Sequence, residues 1–143
     1  MDHNVKIVVT VIVVLVILYA LRRHHPSENQ PSLTARDAEI LRRIKHTMRI
    51  AGYQHQFEFR ISKDASYTLN KSELNLCTSC HLNDDPESDE IDEAVYVGLH
   101  EAAHVISRSY NHTQEWDNIM IILVKQAAEL GYLNPAKVII PNS

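Results

Sequence analysis

This sequence has few cysteines and no excess of positive charge. Only two of the 143 residues are cysteine, too few for a disulfide scaffold and consistent with a reducing compartment. The formal net charge is −4, so the chain has no general electrostatic attraction for nucleic acid, and a nucleic-acid partner is not expected. Histidine, by contrast, is abundant, with nine residues, which favours metal binding but also raises the chance of accidental histidine patterns.

The longest apolar run lies near the N-terminus, where residues 7–21 contain no charged side chain. As a helix this run would be about 22 Å long, somewhat shorter than a hydrocarbon core of about 30 Å. We predict a membrane anchor over residues 1–23, because the basic residues that follow do not resemble the cleavage site of a signal peptide. Arg22 and Arg23 then slightly favour a single-pass protein whose C-terminal domain lies in the cytoplasm.

Residues 24–32 are polar, include two prolines and lack periodicity, which is typical of a linker. The folded domain is therefore predicted to span residues 33–143, and its hydrophobic periodicity predicts an α+β fold. Thr34 and Asp37 can cap a first helix that ends at Gly52, and alternating apolar residues then predict a small, mostly antiparallel sheet. The predicted elements are a helix over 34–51, three strands within 57–76, and helices over 91–108 and 113–130.

Charged residues cluster in two places. The first helix has a basic face that could contact phosphate or acidic lipid head groups, although a solvated outer face is the simpler interpretation. Acidic residues between positions 83 and 93 precede the central helix, where they interact favourably with its N-terminal dipole. A Ca²⁺ loop is the alternative, but the spacing of an EF-hand is absent.

The segment Cys77-Thr78-Ser79-Cys80-His81 has the spacing of a c-type haem attachment site. Its surroundings do not indicate a haem pocket, and no second cysteine pair is available to complete a structural zinc site. We therefore favour the simplest interpretation, with one cysteine packed at a strand end and the other in a loop.

The segment His100-Glu101-Ala102-Ala103-His104 lies in the most apolar part of the predicted central helix. On a helix, His100 and His104 lie one turn apart on one face, where both imidazoles can bind one Zn²⁺ ion. Glu101 lies beside the first ligand and is placed to act as a general base. Burying these polar groups in such a helix is costly unless they are paired or bound to metal, so burial favours a site.

A catalytic zinc ion needs a third protein ligand. His112 is the preferred candidate, because Thr113 can cap the next helix and a reversing chain would bring His112 back to the metal. Asn111 is predicted to end the central helix in a left-handed turn. Glu115 and, less favourably, Glu129 are alternative ligands from the closing helix.

Residues 97–105, followed by Asn111-His112-Thr113-Gln114-Glu115-Trp116, resemble the WLM and SprT-like zinc metallopeptidases, above all short uncharacterised members encoded by large DNA viruses. The resemblance covers residues 67–132. It departs from the usual pattern in Asn111, where glycine is common, in Trp116, where phenylalanine is common, and in a longer gap between His104 and His112. The resemblance implies a minimal zincin-like domain that binds zinc through His100, His104 and His112, with Glu101 as general base.

These observations predict a membrane-anchored zinc metalloendopeptidase that hydrolyses a protein or peptide substrate with zinc-activated water. A viral protein of this kind would carry its domain in the cytoplasm or inside the virion. Tyr110 is a weak candidate for stabilising the oxyanion. The alternative is a non-catalytic metal-binding membrane adaptor or structural protein, in which the histidines are structural and the acidic segment recruits a partner.

Overall fold

The computed structural model describes residues 12–14, 16–17, 33–80 and 90–138. The chain divides into two units, residues 1–30 and residues 31–143. In the first unit, the described residues are helical and their side chains are exposed. In the second unit, the described residues form three α-helices of 16 or 17 residues and three short strands, so the predicted α+β class is confirmed.

Helix α1 (Ala35–Ile50) begins at the predicted cap. Thr34 Oγ1 accepts a hydrogen bond from the backbone N–H of Asp37, and the Asp37 carboxylate accepts one from the backbone N–H of Thr34, both at 3.1 Å. This reciprocal pair satisfies two donors that a helix N-terminus otherwise leaves free. Its apolar stripe is buried, and the chain leaves the helix through Gly52, the predicted end, at φ +87°.

The basic face of α1 is largely engaged by the protein's own carboxylates. Arg42 and Arg43 both bind Glu39, at 2.7 and 2.9 Å, and Arg36 binds Glu90 at 3.1 Å. The neighbouring arginines hold the pKa of the Glu39 carboxyl at about 2 through their hydrogen bonds. This arrangement agrees with the interpretation of α1 as a solvated outer face.

The sheet consists of β1 (Glu58–Ile61), β2 (Tyr67–Leu69) and β3 (Glu73–Leu76) in the order β1-β3-β2. The three strands lie where alternation predicted them, but the sheet is mixed rather than mostly antiparallel. Strand β3 pairs parallel to β1 and antiparallel to β2. Because β3 takes the central position, β1 and β2 do not pair with each other, which is an arrangement that alternation alone does not predict.

Helices α2 (Glu90–Ile106) and α3 (Gln114–Glu129) match the predicted central and closing helices to within two residues at each end. Helix α2 packs against α1, α3, β2 and β3, and Leu99, Ala102 and Ala103 are fully buried. Gly98 allows this close approach to α1, because a Cβ atom there would lie 2.1 Å from Cδ1 of Ile44. The α2 face that carries the histidines is therefore fixed by contacts on the opposite side of the helix.

The C-terminal part continues through Gly131, at φ +69°, into a short 3₁₀ helix, Pro135–Lys137. The backbone N–H of Asn134 donates to the buried Asp92 carboxylate at 2.7 Å, which ties this segment to the first turn of α2. Val138 is buried in the core. This segment therefore packs onto the domain through a 3₁₀ turn, and the last residues of the chain, 139–143, lie outside the described ranges.

The cysteines lie where they were predicted, since Cys77 is buried at the end of β3 and Cys80 is exposed in the loop that follows. The disulfide between them, with Cα atoms 5.4 Å apart, was not predicted. The chain turns immediately after β3 and brings the second cysteine back beside the first, within the usual range for a disulfide. With both sulfurs in this bond, neither is available for a haem thioether or as a metal thiolate. His81 lies outside the described residues.

The prediction of a single-pass membrane protein is also corrected. In the part of the chain that the structure describes, no helix is long and apolar enough to cross a membrane. Apart from residues 12–14 and 16–17, the predicted anchor over residues 1–23 and the whole predicted linker, residues 24–32, lie outside the described ranges. The structure therefore does not support this localisation or the cytoplasmic orientation built on it.

Candidate metal centre

The two histidines of α2 converge as their spacing predicts. His100 and His104 are four residues apart on the helix, and their Nε2 atoms lie 3.3 Å from each other. Both side chains are partly buried, while the alanines between them face the core. Helical geometry alone thus brings two imidazole nitrogens to one point.

His112 completes the cluster from the segment between α2 and α3. Its Nε2 atom lies 3.2 Å from Nε2 of His104, and the three ligand atoms all lie within 4.8 Å of one another. Two nitrogens bound to tetrahedral zinc at about 2.0–2.1 Å would be separated by about 3.3 Å. The observed nitrogen–nitrogen distances around His104 agree with that value, so the three residues fit a zinc ion.

Hydrogen bonds between the rings explain the cluster less well than a shared metal ion does. A single imidazole nitrogen carries either one proton or one lone pair, so His104 Nε2 cannot form two well-directed hydrogen bonds at once. It nevertheless lies 3.3 Å from His100 and 3.2 Å from His112. A shared cation satisfies both short contacts, since all three nitrogens would direct lone pairs toward it.

The ring of Trp116 packs against all three histidines. Its centroid lies 4.1 Å from that of His112 in a stacked arrangement, and 4.8 and 5.3 Å from those of His100 and His104. Trp116 is only 7% exposed and its backbone N–H donates to Thr113 Oγ1, the predicted cap of α3. Trp116, in the first turn of α3, therefore provides the apolar surface against which His112 packs.

The segment before His112 differs from its prediction. Helix α2 ends at Ile106, and Asn111 does not adopt a positive φ, so Asn111 does not stop the helix in a left-handed turn. Instead, Ser107 Oγ donates to the carbonyl oxygen of Ser109 at 2.8 Å, and Asn111 N–H donates to Ser109 Oγ at 3.1 Å. Serine side chains thus replace the expected turn residue.

Burial tunes the two helical imidazoles toward the form that binds metal. Desolvation, and next the neighbouring histidines, lower the pKa of His100 to about 4, and desolvation, His112 and Lys71 lower the pKa of His104. A neutral imidazole is the species that ligates zinc. Within the described residues, the buried Nδ1 atom of His104 has no hydrogen-bond partner, so packing rather than a carboxylate orients this ring.

Glu101 lies beside the cluster and is held by the sheet. Thr68 Oγ1, on β2, lies 2.9 Å from Glu101 Oε2 and 3.0 Å from the Glu101 carbonyl oxygen. Burial raises the pKa of the Glu101 carboxyl, while the hydrogen bond from Thr68 and the charge of His112 act in the opposite direction. A carboxylate with a raised pKa is better suited to accept and return a proton near neutral pH.

The alternative ligands are not brought to the cluster. The Glu115 carboxylate accepts a hydrogen bond from the backbone N–H of Arg108 at 3.2 Å and pairs with the Arg108 guanidinium at 3.5 Å. Glu129 is exposed in the last turn of α3 and lies outside the histidine group. Tyr110 is 61% exposed, and its ring lies against the Lys71 ammonium, at 4.6 Å.

Three supporting residues were not predicted from the sequence. Thr68 and Lys71 lie in the β2–β3 hairpin, more than thirty positions from the residues they contact, so no local pattern connects them to α2. Trp116 belongs to the core cluster and lies at its boundary with the histidines. Its nearness to His112 in sequence was the one available indication.

Comparisons with known proteins identify distant viral relatives. The chain is 31% identical over 77 residues to uncharacterized protein 136R of Invertebrate iridescent virus 6, which covers 54% of this chain and 43% of the relative. It is 35% identical over 82 residues to uncharacterized protein 042R of Invertebrate iridescent virus 3, and this match covers 57% of the chain and 50% of the relative. The chain thus spans about half the length of these curated relatives. No family model and no solved structure matches, so the resemblance to WLM and SprT-like peptidases stays a prediction.

Proposed function

We propose that this protein is a zinc-dependent metallopeptidase of the WLM and SprT-like type. The observation that carries the proposal is the convergence of three imidazole nitrogens beside a buried carboxylate on the same helix. Structural zinc sites are usually closed by four protein ligands, whereas a catalytic site has three and keeps one position open. The described residues supply three ligands, His100, His104 and His112, which favours catalysis over a purely structural role.

The protein's own residues divide the chemistry between them. The three histidines hold the zinc ion, which when bound supplies a Lewis acid that activates water and polarises the scissile carbonyl. Glu101 accepts the proton of the attacking water and delivers it to the leaving amine. Thr68 holds the Glu101 side chain through its hydrogen bond to the carboxylate and so limits the orientations that the carboxylate can take.

The exposed edge of β2, beside Glu101, is an argument that the substrate is a peptide. Strand β2 pairs on one side with β3 and is the last strand of the described sheet. Its Tyr67 and Leu69 side chains are 46% and 47% exposed, and Thr68 between them contacts Glu101. An extended peptide that added to this edge would lie alongside the catalytic carboxylate and would find exposed apolar side chains to contact.

The test is the Glu101→Gln substitution in the full-length chain, loaded with zinc and assayed on a labelled unfolded protein. We expect the variant to retain zinc and to lose activity by roughly 10²- to 10⁴-fold, the usual contribution of a general base. Glu129→Gln, the same chemical change at an exposed position of α3, is the matched control and should keep activity. Cleavage by Glu101→Gln at the wild-type rate, or no cleavage by the zinc-loaded wild type, would contradict the proposal and favour a non-catalytic metal-binding protein.

A further inference from the structure

Lys71 connects the β2–β3 hairpin to the end of the helix that carries two of the histidines. Its Nζ atom donates to the carbonyl oxygen of His104 at 2.7 Å and to that of Ser109 at 2.8 Å, and it also contacts the carbonyl oxygen of Ser107. The same ammonium lies 4.6 Å from the centre of the Tyr110 ring. One side chain therefore holds three carbonyls and an aromatic ring from residues 104–110.

These contacts are unlike those of an ordinary surface lysine. The last carbonyls of a helix lack partners within the helix, and a cation at this end also interacts favourably with the helix dipole. Lys71 meets both needs at the C-terminus of α2 and continues onto the turn that follows. It spans the point at which the chain leaves the helix and begins the segment that carries His112.

The backbone of Lys71 adopts a conformation that lysine rarely takes. Asn70 and Lys71 have φ values of +50° and +53°, and the N–H of Ser72 donates to the carbonyl oxygen of Leu69, as in a tight hairpin turn. Asparagine tolerates this region, but glycine is the residue favoured at the second position. A left-handed conformation is unfavourable for a non-glycine residue, so the side-chain contacts of Lys71 offset a backbone penalty.

We propose that Lys71 is a positioning residue for the third ligand of the proposed metal centre. It does not touch the metal-binding nitrogens. By binding the carbonyls of His104 and Ser109 together, it fixes the turn after α2 so that His112 lies over the helical pair and stacks on Trp116. The inference rests on the proposed function for its consequence, but the positioning itself is a property of the metal-free chain.

The first measurement uses Trp116, which is the only tryptophan of the sequence. Acrylamide quenching of its fluorescence is measured in the metal-free full-length protein, where His112 covers one face of the indole. We expect Lys71→Met and His112→Ala to increase quenching, and the double variant to quench no more than His112→Ala alone, because both act through the same stack. Lys125→Met, at an exposed position of α3, is the matched control and should quench like the wild type.

The second measurement is zinc affinity by competition with a chromophoric chelator. Loss of a residue that orients a ligand typically weakens metal binding by about 10- to 100-fold, and we expect this for Lys71→Met, with recovery in Lys71→Arg. Circular dichroism verifies the fold, and Lys71→Gln takes the place of Lys71→Met if the latter does not fold. Unchanged quenching together with unchanged affinity would overturn the role of Lys71 even if the wild type binds zinc. A wild type that binds no zinc would contradict the proposed function, while the quenching result would still decide the positioning.

Discussion

The helical pair of histidines and the histidine of the turn are held in different ways. His100 and His104 are partly buried on α2, between residues such as Leu99 and Ala103 that are fully buried. His112 is exposed and lies outside any helix, where it stacks on Trp116. Moving the pair would require α2 to leave the core, whereas moving His112 requires only a local opening of the turn. The core thus fixes the positions of His100 and His104, whereas the position of His112 depends on a few local contacts.

Substitution of the shared ligand should have the largest effect. His104 Nε2 lies close to both other ring nitrogens, so His104→Ala removes the centre of the cluster. We expect zinc affinity to fall by more than about 100-fold, beyond the usual effect of residues that only support a ligand. Isothermal titration with zinc measures this loss. Affinity within a few-fold of the wild type would place the metal site elsewhere.

Substitution of the turn ligand should have a smaller effect. His112→Ala leaves the helical pair in place, and we expect zinc affinity to fall by less than in His104→Ala but by at least the roughly 10-fold that is typical of losing a residue which supports a ligand. Because His112 is exposed, the free energy of unfolding of the metal-free protein should change by no more than about 0.5 kcal/mol. The same titration and a urea denaturation curve provide both values. If zinc affinity and stoichiometry were unchanged, the third ligand would have to be sought in Glu115 or His81.

A core substitution should lower stability and leave zinc binding unchanged. Leu99 is fully buried next to His100, and Leu99→Ala should lower the free energy of unfolding by about 2–5 kcal/mol through loss of contacts and creation of a cavity. In conditions where the variant remains folded, its zinc stoichiometry should match the wild type, since no ligand is removed. Urea denaturation and metal analysis separate the two properties. Loss of zinc from the folded variant would show that the pair depends on more than helix geometry.

The pH dependence of the metal-free protein should reveal the burial of the pair. The pKa of His100 is about 4 in the folded state, against about 6.5 for an unperturbed histidine. Between these values the unfolded state binds more protons, so His100 makes stability fall as pH falls from about 6.5 to 4. The lowered pKa of His104 acts in the same sense as that of His100, and the raised pKa of Glu101 acts in the opposite sense, so a substitution is needed to isolate the contribution of His100.

The comparison that isolates this effect is the melting temperature of wild type and His100→Gln across that pH range. The variant should show a weaker decline toward pH 4, whereas His55→Gln, at an exposed position, should follow the wild type. Parallel curves for wild type and His100→Gln would mean that His100 titrates as a solvent-exposed histidine.

Local sequence rules predicted the helical half of the site. The four-residue spacing of His100 and His104 and the cap at Thr113 follow from helix geometry and from hydrogen bonding at helix ends, and the structure confirms both. The position of His112 was also predicted, from the need for a third ligand. The prediction that Asn111 ends the central helix in a left-handed turn was wrong, because hydrogen bonds of serine side chains shape that turn.

Long-range contacts account for what the sequence did not predict. The central position of β3 depends on which strands meet after the chain folds, and the disulfide depends on the turn after β3. Thr68 and Lys71 act on α2 across more than thirty residues, and neither belongs to a motif. Periodicity and capping specify elements and neighbours along the chain, but not contacts between distant segments.

We propose that His100, His104 and His112 bind one zinc ion. The metal content of the purified full-length protein, measured by mass spectrometry after zinc loading and removal of loosely bound ions, tests this binding. We expect one zinc per chain in the wild type, retained in Glu101→Gln and lost in His104→Ala. A wild type without zinc, or a His104→Ala variant that retains it, would show that these histidines do not form a zinc site.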